Sequence, residues 1–145
     1  MPEPLVDAMQ ALADKFIERA GALRRQFDYT VASAYAADQF LDVLIGSGEA
    51  VPDDLARNIG AYVGEVIRRN VGGEWVAMPQ GPSSDEPGVS VNGLVLLPFE
   101  KVRKRINLGT SNSLGFFVEE LVQSGFTPPP GPEKRRSGFR RRGRS

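Results

Sequence analysis

The chain has 145 residues, 41% hydrophobic and 25% charged, with 18 basic and 18 acidic side chains. It contains no cysteine and no histidine, which excludes disulfides, Cys/His zinc sites, thiol nucleophiles and every histidine-dependent catalytic scheme. The formal neutrality is unevenly distributed: residues 127–145 hold seven basic side chains and one acidic one, leaving 11 basic and 17 acidic in residues 1–126. The body therefore carries about −6 and the tail about +6.

The length suits one domain with a real core. No apolar run approaches the roughly 20 residues of a membrane span. Glu3 and Asp7 come early, and Leu5 to Leu23 is amphipathic, so the N-terminus does not read as a signal peptide. A cytoplasmic protein that does not contact membranes is expected.

Leu5, Met9, Leu12, Phe16, Ala20 and Leu23 recur at steps of three and four and predict a helix over 4–25. Asp28 is a candidate N-cap for a second helix over 29–45. Its expected core face is Tyr29, Ala32, Tyr35, Ala36, Phe40, Val43 and Leu44. Pro52 suits the first position of a third helix, and Asp53 and Asp54 suit the positive end of its dipole. Leu55, Ile59, Tyr62, Val63 and Val66 form its apolar face, and Gly72-Gly73 stops it.

Strands are predicted at 74–78, 88–91 and 94–97. Asn92-Gly93 joins the last two as a type I′ hairpin, whose central residues both need positive φ. The third strand, Leu94-Val-Leu-Leu97, has no polar residue on either face and is expected to be covered on both. Pro98 opens a fourth helix with Phe99, Val102 and Ile106 inward and Lys101, Arg103, Lys104 and Arg105 as a positive face, ended by Gly109. Ser111 or Ser113 caps a fifth helix, with Leu114, Phe117, Val118, Leu121 and Val122 inward and Gly125 as its stop. The prolines of 128–132 end the domain, and the rest reads as a disordered basic tail. The fold class is α+β: helices packed on a small three-stranded antiparallel meander, as a single domain over 1–126 with a Pro-rich linker and tail over 127–145.

Three groups of residues could carry function. Gly60 and Gly64 share one face of the third helix and need a reason, because each costs a helix interior up to ~1 kcal/mol relative to alanine. Either another element approaches closely, or a ligand lies there. Glu65 precedes Arg68 and Arg69 by three and four residues, the spacing of helix-surface ion pairs. The bland reading is a solvated pair. The sharper one has Glu65 partly buried, holding an arginine toward an anion, in a ligand site with Tyr62, Arg68, Arg69 and Trp75. Trp75 reads first as a core residue at the helix–sheet junction whose indole N–H needs a partner.

The second group is basic. Lys101, Lys104 and Arg105, with Lys134, Arg135, Arg136, Arg140, Arg141, Arg142 and Arg144 of the tail, could form a weakly specific, salt-dependent nucleic-acid surface, with Phe139 available for stacking. The alternatives are a solvated helix face and a solubilising tail, or a tail that folds back on the acidic body. The third group is acidic. Asp53-Asp54, Asp85-Glu86 and Glu119-Glu120 lack the alternating spacing of a calcium loop, so no metal is expected. No Walker or dinucleotide fingerprint is present, no cofactor is expected, and no residue is assigned a catalytic role.

The combination Gly60-x-Tyr62-x-Gly64-Glu65-Val66-x-Arg68, Gly72-Gly73-x-Trp75 and Pro98-x-x-x-Val102-x-Lys104-Arg105 resembles a family of uncharacterised bacterial domains over residues 28–122. The resemblance implies a small bacterial α+β fold and carries no activity. The leading expectation is a non-enzymatic module, an adaptor or an immunity-type inhibitor, whose acidic body meets a protein partner. A nucleic-acid-associated protein and a ligand binder or enzyme built on Glu65, Arg68 and Arg69 are the alternatives.

Overall fold

The computed structural model describes residues 3–77 and 86–124. Five α-helices and three strands follow in the order α1 (Glu3–Ala20), α2 (Val31–Gly46), α3 (Asp53–Val71), β1 (Glu74–Val76), β2 (Gly88–Val91), β3 (Leu94–Leu96), α4 (Pro98–Leu108) and α5 (Leu114–Gln123). The strands form one antiparallel sheet in the order β1-β2-β3, with Trp75 opposite Val89 and Val91 opposite Leu94. Asn92 (φ 57°) and Gly93 (φ 82°) make the hairpin turn with the positive φ that a type I′ turn needs. The fold is α+β, with a helical majority around a small meander. The expected Met78, Gly125 and tail features lie outside the described residues. No described helix is long and apolar enough to cross a membrane.

The central element is α3, on which α1, α2, α4, α5 and β2 all pack. Burial on so many sides explains why its residues from Leu55 to Ile67 are buried almost without interruption, Arg57 excepted. Beside it, Phe16 of α1 meets Phe27, Phe40 and Tyr62 edge-on at 4.7, 5.4 and 5.3 Å between ring centroids. Edge-to-face geometry is the favourable arrangement for such rings. This aromatic group joins α1, the following loop, α2 and α3 into one core.

The glycines of α3 are explained by close approach. A Cβ on Gly60 would lie 2.6 Å from Phe99 Cδ1 and 3.0 Å from Phe99 Cα, where α4 begins. A Cβ on Gly64 would lie 2.1 Å from Trp75 Cη2. One turn apart on the same face, the two glycines seat the first turn of α4 and the tryptophan of β1. Gly115 does the same for α5 on α2, where a Cβ would fall 2.3 Å from Cγ of Tyr35.

Four expectations are corrected. The first α-helix stops at Ala20, because Gly21 turns to φ 59° and residues Gly21–Gln26 continue as a 3₁₀ helix; Leu23 is exposed there, outside the core. The second helix begins at Val31 with Thr30 as N-cap, its hydroxyl accepting from the Ser33 N–H at 3.2 Å, while Asp28 accepts from the Thr30 hydroxyl at 2.6 Å. Its buried face is Ser33, Ala34, Ala37, Asp38 and Leu41, whereas Ala32 is exposed and Val43 is 74% exposed. The polar members of that face were invisible as core residues because their partners come from other elements. Finally, β3 is not covered on both faces: Leu94 is 51% exposed, and only Leu96 is buried.

Gly64→Ala is expected to destabilise the protein by about 1–3 kcal/mol, because a methyl forced against a buried indole displaces a packed side chain. Gly46→Ala, where a Cβ meets nothing within 4 Å, is expected to cost nothing measurable. Urea unfolding of the two variants checks both.

Candidate functional site

The residues singled out on α3 converge, but as a lock rather than an open pocket. Glu65 has no exposed surface. Its Oε2 accepts from Arg68 Nε at 2.9 Å and from the Trp75 indole N–H at 2.8 Å. Its Oε1 accepts from Arg68 Nη2 at 3.0 Å and from Arg69 Nε at 3.1 Å. Four donors fill the roughly four acceptor positions of a carboxylate. Burial raises its pKa, but the hydrogen bonds from Arg68 and Trp75 outweigh this, and the net shift is downward. Glu65 is therefore held in its ionised form as an anchor for these donors.

The sequence explains how such a group can be buried. Gly64 leaves space for the Trp75 ring, and Glu65, the next residue, presents the acceptor its N–H requires. Gly72 (φ 97°) and Gly73 (φ 127°) reverse the chain between them. Tyr62, the third buried member of the expected ligand site, donates to Ser33 Oγ at 2.7 Å and accepts from the Tyr29 N–H at 3.0 Å. Tyr62, Glu65 and Trp75 are thus all inside the core and out of a ligand's reach, while the side chains of Arg68 and Arg69 remain 29% and 35% exposed.

Arg69 lies over the ring of Tyr29, with its Cζ 3.7 Å from the centroid. Tyr29 in turn stacks on Tyr62 at 4.8 Å and holds a left-handed backbone, φ 65°. This conformation is rare for a bulky residue. It is held from three sides: the Tyr29 N–H donates to Tyr62, its carbonyl accepts from Asn70 Nδ2 at 2.8 Å, and its hydroxyl donates to Asp14 at 3.3 Å. Burial first, and then the Asp14 carboxylate, push the Tyr29 phenol well above its ordinary pKa. The role of Tyr29 has no sequence signal beyond its aromaticity, since the residue stands outside any helix.

A second charged cluster was not legible. Arg105, 2% exposed, donates from Nε to Asp38 Oδ1 at 2.8 Å and from Nη2 to Asp42 Oδ1 at 2.5 Å. Asp38 also accepts from the Ser113 hydroxyl at 2.7 Å and from the N–H groups of Leu114 and Gly115, both at 2.9 Å. A carboxylate from α2 thereby caps the N-terminus of α5, where N–H groups have no partner within their own helix. The third cluster centres on buried Glu86, which accepts from Arg103 Nη1 at 2.6 Å and pairs with Arg57 Nε at 3.6 Å.

The expected positive face of α4 is accordingly not a face. Arg105 is buried in the Asp38 cluster, and Arg103 is committed to Glu86 and Asp53. Lys101 is half-buried with its Nζ 5.2 Å from the Phe117 ring centroid, and burial, followed by the charge of Lys104, lowers its pKa. Lys104 alone of the four is exposed. Lys134, Arg135, Arg136, Arg140, Arg141, Arg142 and Arg144 lie outside the described residues. Among the described residues no group of three or more acidic side chains is arranged to hold a metal ion. No family model matches the chain, and neither a curated protein nor a solved structure matches it at a significant level.

Glu65→Gln is expected to lower stability at pH 7 by about 2–3 kcal/mol, because one acceptor becomes a donor facing donors. The folded-state pKa of Glu65 lies below its unfolded value, so its contribution is complete above the ordinary glutamate range, about 4.3, and is lost as the pH falls through the folded value. The stability gap between wild type and Glu65→Gln should therefore close in acid; denaturant unfolding across pH 2–7 checks this. Asp38→Ala is expected to cost about 3–5 kcal/mol, because it leaves the buried Arg105 and the first N–H groups of α5 without their acceptor; calorimetric unfolding checks it.

Proposed function

We propose that this protein is a cytoplasmic bacterial interaction module without catalytic activity, acting as an adaptor or immunity-type partner of another protein. The observation that carries this reading is the outer face of α5. Phe116 stands 58% exposed in the first turn of that face, with Glu120 and Gln123 exposed one and two turns further on. The inner side of the same helix is fixed to the body by buried Leu114 and Val118, by Gly115 against Tyr35, and by the Tyr35 hydroxyl donating to Glu119. A rigid helix presenting an aromatic side chain among acidic and amide groups supports recognition of a protein surface, since aromatic anchors with a polar rim dominate such interfaces. Leu108 at the end of α4, 65% exposed, adds apolar surface close in sequence to the start of α5.

The commitment of the buried charges supports the same reading. Glu65, Asp38 and Arg105 are each hydrogen-bonded within the fold, Glu65 to its own helix and to Trp75, Asp38 and Arg105 across elements.

Phe116→Asp is expected to leave the unfolding midpoint nearly unchanged, within about 0.5 kcal/mol, because the side chain is largely in solvent. In affinity capture from the source cell it should lose the proteins retained by wild type. Retention of the same proteins by the variant would refute the assignment of α5 as the contact face.

A further inference from the structure

We propose that Arg68 and Arg69 together form an oxyanion clamp, a site for one carboxylate or phosphate group carried by the protein partner. The partner rests on the function proposed above; the clamp itself rests on its own geometry.

One buried carboxylate needs one guanidinium to balance it, and Glu65 has two. Arg68 Nη2 and Arg69 Nε converge on the same oxygen, Glu65 Oε1, at 3.0 and 3.1 Å. Two like charges are thus held side by side with a single negative charge between them. The excess of one positive charge lies where both side chains reach solvent. A guanidinium has five N–H donors. Arg68 spends two on Glu65 and Arg69 spends one. Nothing described accepts from the rest, so about seven N–H donors on two adjacent planar groups have no acceptor among the described residues.

The second observation is that the pair is held in place before any ligand arrives. Arg68 is fixed by two parallel hydrogen bonds to Glu65. Arg69 is fixed by Glu65 at one end of its guanidinium and by the Tyr29 ring beneath its face. The Tyr29 platform is maintained in a strained left-handed backbone by hydrogen bonds with Tyr62, Asn70 and Asp14. Strain of this kind persists only where the surroundings over-determine it, and it concentrates at ligand clamps and switch regions. A helix-end ion pair would not need an aromatic platform in that conformation. Side chains already ordered lose little entropy on binding, and paired guanidinium donors match the oxygens of a carboxylate or phosphate better than lysines do.

The test reads the arginine side chains of the full chain by NMR, so that the basic residues of the tail do not obscure the result. Inorganic phosphate, acetate and chloride are titrated in turn at matched ionic strength. The Nε–H resonances of Arg68 and Arg69 should shift with saturation for phosphate or acetate and not for chloride; whichever of the two saturates first identifies the oxyanion. In Arg69→Lys the charge is kept and the planar donors are lost, and phosphate affinity read at Arg68 should fall roughly tenfold. Thermal unfolding of that variant confirms that the fold is intact. Shifts that are linear, equal for all three anions, or unchanged in Arg69→Lys would overturn the proposal and leave the pair as a lock on Glu65. If phosphate and acetate fail to bind while capture through Phe116 persists, the clamp falls and the interaction reading stands.

Discussion

The joint between α3 and the sheet depends on an uncommon act of burial: a carboxylate with no solvent contact, placed next to a glycine. Gly64 gives up its side chain so that the Trp75 ring can lie against the helix, and Glu65 accepts the hydrogen bond that the indole must make. Neither residue succeeds without the other. A Cβ at 64 would displace the ring, and a neutral apolar residue at 65 would leave the indole N–H without its acceptor. The two arginines complete the arrangement, because desolvating a carboxylate is tolerable only where its charge and all its lone pairs are met.

The same physical solution recurs at a distance. Glu86 also lies between two arginines, Arg57 and Arg103. Arg105 inverts the pattern, one buried cation between Asp38 and Asp42. Each cluster joins elements far apart in the chain or closes a turn between neighbours. Asp38 links α2 to α4 and to the first turn of α5; Glu86 links the start of β2 to α3 and α4. Charge that looks surplus on a helix wheel is in this protein the material of its tertiary joints. What faces solvent is therefore a different set from what the residue pattern advertises: Lys104 instead of the whole basic run of α4, and Val122 of α5, expected inward but 37% exposed.

The elements whose residues signal locally were readable. The Asn92-Gly93 turn needs positive φ at both positions, and that requirement is written in the residue types. The apolar face of α3, the meander, the Ser113 cap and the stops at Gly72 and Gly109 follow from equally local rules. Of the candidate site, the i,i+3 and i,i+4 spacing of Glu65 with Arg68 and Arg69 was legible, and so was the need of Trp75 for a partner. That the two needs are met by one atom group was not. The buried face of α2 departs from its apolar pattern for a related reason. Ser33 and Asp38 look solvent-facing by type, and their burial is favourable only because Tyr62, Arg105 and the N-terminus of α5 arrive to satisfy them.

The amino-acid order alone determined the number and order of helices and strands, the Asn92-Gly93 turn, and which charges can meet within one helix, because these depend on backbone sterics and on periodicities of a few residues. Only the tertiary structure decided which charged groups are buried and which arginine side chains stay partly exposed. Burial of a charge is governed by the sum of its desolvation and of partners contributed from distant segments. No short window of sequence contains that sum.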